Sequence, residues 1–215
     1  MKTYPLRNSD EQPETVILAN GDFPSHPLPL TLLTKSRYIV CCDGAVNELV
    51  QKERIPSAIV GDCDSLSAEN RDRFASILHP DKDQETNDLT KSVNFCLKQR
   101  RDVITILGAT GKREDHALGN ISLLADYVEM VQVEMITDYG VFTPITSSAT
   151  FESFAGQQIS LFCMDSCPIT TLGLKYPLTN KALNRWWQGS LNETLEDSFT
   201  IETKGKVVVF RAYAD

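Results

Sequence analysis

Long apolar runs are missing from this sequence: none approaches the roughly 20 residues that a membrane-spanning helix needs. The start, MKTYPLRNSDEQPET, also lacks the apolar stretch of a secretory signal, so we expect no secretory leader. Positive charge is scarce, because 21 Lys and Arg residues face 29 Asp and Glu residues and leave a net charge of −8. Nucleic-acid binding usually needs a positive surface. The sequence therefore predicts a protein that binds neither membranes nor nucleic acids.

Cysteine motifs for metals are also missing. None of the six cysteines forms a CxxC pair, and the three histidines add no zinc-site spacing. Cys41, Cys42 and Cys163 lie in apolar runs, where a free cysteine behaves as a small hydrophobic side chain. We therefore expect reduced thiols in a cytoplasmic protein.

Short apolar runs alternate with amphipathic stretches up to about residue 140. The apolar runs predict strands at 15–19, 37–42, 57–61, 103–107 and 131–136. The amphipathic stretches predict helices at 28–35, 45–52, 67–78, 88–100 and 115–129. Apolar strands separated by helices are typical of a parallel sheet that helices cover on both faces. After a loose polar leader over 1–14, we therefore predict an α/β domain with a doubly wound, mostly parallel sheet, spanning 1–140.

Beyond residue 140 the pattern changes to short β-rich runs. These runs are punctuated by Gly, Pro, Asn and Ser, and they begin near residues 140, 149, 157, 168, 198 and 206. A helix is predicted only at 181–187. The pattern predicts a smaller antiparallel β-sandwich over 141–215. At about 75 residues it is small for an independent core, so we expect it to pack on the first domain or on a partner subunit.

Carboxylates collect where the predicted parallel strands end. Asp43 and Gly44 follow the second strand, and Asp62 and Asp64 follow the third. The loop before the helix at 88–100 carries Asp81, Asp83, Gln84, Glu85, Asn87 and Asp88. The carboxyl ends of a doubly wound sheet meet at one crevice, so we expect these groups to lie together.

The spacing of two of these carboxylates suggests that they bind a cation. Asp62 and Asp64 are two residues apart, so in an extended chain they point to the same side. Mg²⁺, which prefers oxygen ligands and is often shared with phosphate, would offset their repulsion, and Asp88 could complete the set. The alternative is that Asp62 caps a turn while Asp64, Ser65 or Ser67 caps the next helix. Because three acidic loops fall on neighbouring strand ends, we predict a metal–phosphate site.

The segment GATGKRED after the fourth strand is neither a P-loop nor a dinucleotide fingerprint, because its glycines have the wrong spacing and position. It supplies Arg113, whose planar guanidinium suits phosphate oxygens, although a surface ion pair with Glu114 or Asp115 is the alternative. His116 is interpreted as an ordinary surface histidine. Trp186 and Trp187 are interpreted as core or interface anchors, with stacking on a flat ligand as the alternative.

Six ordered motifs resemble the thiamine pyrophosphokinase family. They are CDGAVNEL (42–49), GDCDS (61–65), DQETNDLTKSV (83–93), GATGKREDHALGN (108–120), GLKYPL (173–178) and GSLNE (189–193). Three positions depart from the family pattern: Asn87 replaces a Thr, Tyr176 replaces a Trp, and Leu191 replaces a Ser.

The resemblance implies an enzyme that transfers pyrophosphate from ATP to the thiamine hydroxyl, giving thiamine diphosphate and AMP. It implies an ATP- and Mg²⁺-binding α/β domain, a C-terminal β-sandwich, and a homodimer with thiamine between subunits. Carried over by motif, the residues that would serve the nucleotide, the metal or the reaction are Asp43, Gly44, Asp62, Asp64, Gln84, Asn87, Asp88, Arg113 and Asp115. Ser190 and Asn192 would lie near thiamine.

The resemblance also suggests a distribution of roles. Asp62, Asp64 and Asp88 would hold Mg²⁺, Arg113 would assist on the phosphate oxygens, and Asp62 or Asp88 would accept the hydroxyl proton. One alternative is a Mg²⁺-dependent phosphohydrolase or nucleotidyltransferase that uses the same carboxylates. Another is a nucleotide-sensing module without catalytic activity.

Overall fold

A computed structural model describes residues 1–214 of the chain. The α-helices are α1 Pro27–Lys35, α2 Ala45–Gln51, α3 Ala68–Arg73, α4 Asp88–Lys98 and α5 Glu114–Tyr127, with 3₁₀ turns at Ala75–Ile77 and Trp186–Gly189. The strands are β1 Lys2–Tyr4, β2 Thr15–Leu18, β3 Ile39–Cys42, β4 Ala58–Gly61, β5 Leu78–Pro80, β6 Val103–Leu107, β7 Gln132–Ile136, β8 Gly140–Ile145, β9 Ala149–Glu152, β10 Gln158–Cys163, β11 Pro168–Leu172, β12 Lys181–Ala182, β13 Asn192–Glu193, β14 Ser198–Glu202 and β15 Val207–Ala212.

By their internal contacts these residues form two compact units. One comprises Ser9–Leu123 and Met130–Asp138, and the other comprises Met1–Asn8, Leu124–Glu129 and the chain from Tyr139 onward. The first eight residues thus group with the second unit rather than with the predicted N-terminal domain. Among residues 1–214, no helix is both long enough and apolar enough to cross a membrane.

The first unit contains a parallel sheet of six strands. Its order is β7-β6-β2-β3-β4-β5, and every neighbouring pair is parallel. After β2, the strands β3, β4 and β5 follow in order on one side of β2, and β6 and β7 then lie on its other side. This reversal is the switch point of a doubly wound sheet, which confirms the predicted fold class.

The apolar sequence of the central strands explains this sheet. All four residues of β2, β3 and β4 are buried, as are the last four of β6, so both faces of these strands are covered. In α4, which confirms the helix predicted at 88–100, Leu89, Val93 and Cys96 are buried in the core. Because these central strands are buried on both faces, their carboxyl ends give a well-packed support for the loops that follow.

Two local predictions for residues 1–140 are wrong. The predicted helix over 67–78 ends as an α-helix at Arg73, and Leu78–Pro80 instead form β5 at the sheet edge. The leader over 1–14 is not wholly loose, because Lys2–Tyr4 pair with β9 as a parallel strand. Both strands are only three residues long and largely exposed, so they lack the apolar signal of the central strands.

The second unit contains two sheets. One has the order β1-β9-β14-β11-β12, and the other contains β13-β10-β15-β8, whose pairs are antiparallel. Alternate side chains of both sheets fill one core, in which the Phe151 ring stacks between Tyr4 and Phe199, each with a centroid distance of 5.0 Å. This agrees with the predicted sandwich. The predicted helix at 181–187 is wrong, because the segment forms the two-residue strand β12 followed by a loop and the start of a 3₁₀ turn.

Burial makes most of the thiols unreactive. All six cysteines are free, and Cys167 alone among them is partly exposed. Burial raises the pKa of Cys42 and of Cys96 to about 12 and that of Cys163 to about 11. We expect a thiol reagent at pH 8 to titrate one thiol quickly in the native chain and the other five only after denaturation, because the thiolate is the reactive form. Rapid modification of more than one native thiol would contradict the burial described here.

Candidate active site

An open pocket lies beyond the carboxyl ends of the parallel strands. It has a volume of about 420 Å³, and residues after β2, β3, β4 and β6 line it together with the first turn of α4. The pocket includes the switch point between β2 and β6, where ligands bind in sheets of this type. Of the predicted site residues, the structure brings six to this pocket: Asp43, Asp62, Gln84, Asn87, Asp88 and Arg113.

Three carboxylates form the centre of the pocket. One oxygen each from Asp43, Asp62 and Asp88 lies within 4.8 Å of the others. Asp43 is only 3% exposed, and its Oδ2 accepts a hydrogen bond from the Ser65 N–H at 3.0 Å. Its buried Oδ1 has no hydrogen-bond partner among residues 1–214. A buried carboxylate oxygen without a donor is costly, unless a cation satisfies it.

Glycine at position 61 permits this close approach. Gly61 ends β4 with φ 153°, and a Cβ atom there would lie 2.9 Å from the Asp43 Cβ and 3.2 Å from the Asp88 Cγ. Any side chain at this position would push two of the three carboxylates apart. The glycine that the sequence places before Asp62 is therefore needed for the geometry of the cluster.

Asp88 lies at the first position of α4 and contacts a buried lysine. Its Oδ1 is 3.3 Å from the Nζ of Lys91, whose side chain is only 4% exposed. Burial raises the pKa of Asp88, the nearby Asp62 and Asp43 add to the rise, and Lys91 opposes it. The pKa of Asp88 is therefore raised mainly because burial disfavours its charged form, and the neighbouring carboxylates act in the same direction.

Asp64 does not lie with the other three. Cys63 has φ 68°, so the chain is not extended here and the two-residue alternation fails. Asp64 is exposed, and its N–H donates to Asp62 Oδ1 at 3.1 Å. Asp62 thus caps a turn, and Ser67 caps α3 by accepting from the Asn70 N–H. A role for Asp64 as a cation ligand stays a prediction.

Amide side chains line the neighbouring wall of the pocket. Asn87 caps α4, because its Oδ1 accepts from the Thr90 N–H at 2.9 Å, and its Nδ2 donates to Asn120 Oδ1 at 3.2 Å. Asn120 in turn donates to the Ala109 carbonyl at 2.8 Å. Gln84 is exposed at the pocket edge. Asn87 therefore joins the start of α4 to the loop after β6.

Arg113 and Asp115 form an exposed pair. The Arg113 guanidinium donates to both Asp115 oxygens, at 3.1 and 2.5 Å, and this contact lowers the pKa of Asp115. Arg113 lines the pocket, and so does His116, whereas Asp115 does not. With both side chains more than half exposed, the pair is worth little to stability, so Arg113 can exchange Asp115 for a bound anion at low cost.

In the second unit, the two residues predicted near thiamine differ in their environment. Ser190 is half-buried, and its Oγ donates to the Trp187 carbonyl at 2.8 Å. Asn192 is buried, and its side chain accepts from the Tyr176 N–H at 3.1 Å and donates to the Tyr176 carbonyl at 2.8 Å. Asn192 therefore fixes the loop that carries Tyr176, which is itself exposed together with Trp187 and Leu191.

Sequence reasoning assigned no role to Lys91 or Asn120, although both line the pocket. Lys91 lies inside the motif at 83–93, three residues after Asp88, and this spacing is also common in surface helix pairs. Asn120 has a weak signal, since it ends the motif at 108–120. Gly44 caps α2 through its backbone position and does not line the pocket.

The donor set fits a hard divalent cation. Its three closest members are carboxylates, one oxygen is buried without a donor, and no cysteine or histidine belongs to the group. Oxygen ligands of this kind suit Mg²⁺. An acidic pocket at the switch point of a doubly wound sheet is typical of the class of α/β enzymes that bind nucleotides or other phosphorylated ligands.

Comparisons with known proteins identify the family within this class of enzymes. The model described as "Thiamin pyrophosphokinase, catalytic domain" matches residues 30–136, and "Thiamin pyrophosphokinase, substrate-binding domain" matches residues 140–210. Thiamin pyrophosphokinase 1 of Caenorhabditis elegans is 28% identical over 71% of this chain and 69% of its own length. The thiamine pyrophosphokinase of Bacillus subtilis is 34% identical over 59% of this chain and 63% of its own length.

Solved structures agree. Thiamin pyrophosphokinase from Candida albicans superposes with a TM-score of 0.81 over 99% of this chain and 93% of its own, at 19% identity. The thiamine pyrophosphokinase structure from Bacillus subtilis superposes with a TM-score of 0.77 over 94% of this chain and 100% of its own, at 25% identity. The chain belongs to the thiamin pyrophosphokinase family.

Proposed function

We propose that this chain transfers the pyrophosphoryl group of ATP to the hydroxyl of thiamine, giving thiamine diphosphate and AMP. The observation that carries the proposal is the group of three carboxylates, Asp43, Asp62 and Asp88, in the pocket of the segment that matches the family's catalytic domain. Nothing in the pocket or in the comparisons favours a phosphohydrolase or a nucleotidyltransferase.

The residues that would hold Mg²⁺ are Asp43, Asp62 and Asp88, with Asp64 kept as a predicted fourth ligand. When bound, the ion offsets charge on the phosphate oxygens. The nucleotide would lie along the pocket wall that includes Gln84, Asn87 and Arg113. Gly44 and Asp115, which lie beside the pocket, are kept as predicted nucleotide contacts. Arg113 would leave Asp115 and donate to phosphate oxygens, for which its planar guanidinium is well suited.

At the β-phosphorus the reaction forms one bond and breaks one, and one proton moves from the hydroxyl to a carboxylate. The thiamine hydroxyl oxygen bonds to the β-phosphorus of ATP, and the bond from that phosphorus to the oxygen shared with the α-phosphate breaks, so AMP leaves with that oxygen. Asp62 or Asp88 accepts the hydroxyl proton. Such transfers depend mainly on positioning and on charge stabilisation, so a weak base is sufficient.

The thiamine site would include Ser190 and Asn192, and we propose that the active protein is a homodimer. The exposed fractions of Tyr176, Trp187 and Leu191 are 61%, 73% and 80%, and apolar side chains of this size suit contact with a ligand or a second subunit. Free thiols support a cytoplasmic location. Light scattering of the purified chain tests the dimer.

A product assay tests the proposed function. With thiamine, ATP and Mg²⁺ we expect thiamine diphosphate and AMP in equal amounts, and no product when the cation is chelated. Free phosphate without a modified acceptor would indicate a phosphohydrolase, and a nucleotidyl conjugate with pyrophosphate would indicate a nucleotidyltransferase. ATP binding without any turnover would indicate a sensing module.

Replacing Asn192 tests the thiamine side. We expect Asn192→Ala to raise the KM for thiamine about tenfold while the KM for ATP stays within about twofold, because the Tyr176 loop loses hydrogen bonds that fix it. Asn184→Ala removes an exposed amide from the same region and should change neither constant. An unchanged KM for thiamine in folded Asn192→Ala would remove this loop from the proposed site.

A further inference from the structure

Lys91 is unusual because its charged group is buried inside the pocket. The side chain is 4% exposed, and lysine side chains are rarely buried without a partner. Its Nζ lies 3.3 Å from Asp88 Oδ1, and the residue lines the same pocket as Asp43 and Asp62. Lys91 lies in the motif at 83–93, and the resemblance assigns it no role.

The sequence of α4 explains how the lysine reaches this position. Asn87 caps the helix, Asp88 opens it, and Lys91 follows one turn later, so both side chains lie at the pocket end of the helix. Leu89, Val93 and Cys96 fix the helix in the core. The Lys91 stem is therefore enclosed by protein, and its ammonium group is held beside the carboxylates.

The charges of the cluster show what the lysine does there. Three carboxylates gather within 4.8 Å, which like-charge repulsion opposes. Within the cluster itself, the Lys91 ammonium group offsets one of the three carboxylate charges and leaves two, which match the charge of one divalent cation. The other cations that line the pocket, Lys112 and Arg113, are exposed and pair with Glu48 and Asp115 outside the cluster. A fixed positive charge next to Asp88 also repels any cation that enters the cluster.

We propose that Lys91 is a positioning residue that acts as a built-in counter-charge: it holds the carboxylate cluster together when no cation is bound and weakens the binding of a bare divalent cation. This rests on the proposed function, in which the cation is used together with ATP. Phosphate oxygens would supply the extra ligands that overcome the repulsion, so the cluster would hold the cation well only when the nucleotide is present.

Mn²⁺ alone is a direct probe, because it takes oxygen ligands and its free form is counted by electron paramagnetic resonance. With the full chain and no nucleotide, we expect Lys91→Met to bind Mn²⁺ at least about tenfold more tightly than the unmodified chain, since a repelling charge is gone. Without the cation its melting temperature should fall, and saturating Mn²⁺ should raise it more than in the unmodified chain. Activity is not needed for either readout.

The matched control is Lys98→Met, which removes the same charge from the exposed end of α4 and should leave Mn²⁺ affinity within about twofold. If Lys91→Met does not fold, Lys91→Gln keeps a hydrogen-bond donor without the charge and should show the same tightening. Equal or weaker Mn²⁺ binding by a folded, neutral variant would overturn this proposal and leave the proposed function intact. If the unmodified chain binds no Mn²⁺ even with ATP present, the carboxylate site itself fails, and the proposal with it.

Discussion

Asp62→Asn is expected to lower the kcat for thiamine diphosphate formation by at least about 1,000-fold, which corresponds to about 4 kcal/mol of transition-state stabilisation. Asparagine has the shape of aspartate but not its charge, so the variant removes one of three carboxylates from the group within 4.8 Å. Folding should change by less than about 1 kcal/mol, because the loss of a like charge relieves repulsion in the cluster.

The rate of AMP release with thiamine and MgATP measures this effect, and a melting curve measures the folding. Asp72→Asn is the matched control, because Asp72 lies exposed on α3, ten residues along the chain, and outside the pocket. It should keep full activity. Near-normal AMP release by Asp62→Asn would show that this carboxylate does not serve the reaction.

Gly61→Ala is expected to lower kcat about 100-fold while the chain still folds. The new methyl group would lie 2.9 Å from the Asp43 Cβ and 3.2 Å from the Asp88 Cγ, and φ 153° is strained for any residue with a Cβ atom. A displacement of about 1 Å at reacting groups is enough for this loss. Overpacking should also cost about 1–3 kcal/mol of unfolding free energy.

Steady-state kinetics and urea unfolding separate the two effects. Gly119→Ala is the control, because a Cβ atom there meets nothing within 4 Å and the position lies inside α5. Alanine is the better helix former, so this variant should gain about 0.5–1 kcal/mol. If Gly61→Ala keeps full activity, the cluster tolerates displacement of two carboxylates, and its close spacing is not needed.

The parallel sheet could be predicted because its central strands are buried on both faces. β2, β3 and β4 read as continuous apolar runs, and such runs are visible without any knowledge of partners. β1 and β5 could not be predicted in this way. Each has three residues and is largely exposed, so neighbours and not composition decide their pairing.

The sequence was sufficient to predict where the carboxylates gather, but not which of them lie together. Strand order places the ends of β3 and β4 side by side, and this follows from the fold. Which side chain turns inward depends on single backbone angles: φ 39° at Asp43 and φ 68° at Cys63. Asp43, which the sequence placed among the residues that serve the nucleotide, the metal or the reaction, joins the group, whereas Asp64 turns to solvent.

In the second unit, the strands could be predicted from the sequence, whereas the hydrogen bonds of the turn at 189–193 could not. The strands of the sandwich follow from alternating burial, as in β10 with Ile159, Leu161 and Cys163 inward. The turn at 189–193 is governed by hydrogen bonds that no pattern encodes, above all those between Asn192 and the Tyr176 backbone. The family motifs indicated where this turn lies. They could not show that the Asn192 side chain forms hydrogen bonds to the Tyr176 backbone.

The most direct test of the carboxylate cluster is the anomalous X-ray signal of Mn²⁺ in crystals grown with a non-hydrolysable ATP analogue. We expect one strong peak with oxygens of Asp43, Asp62 and Asp88 within about 2.5 Å of it, and with phosphate oxygens completing the coordination shell. Bound nucleotide with the Mn²⁺ peak away from these three residues, or with no peak beside them, would contradict this expectation.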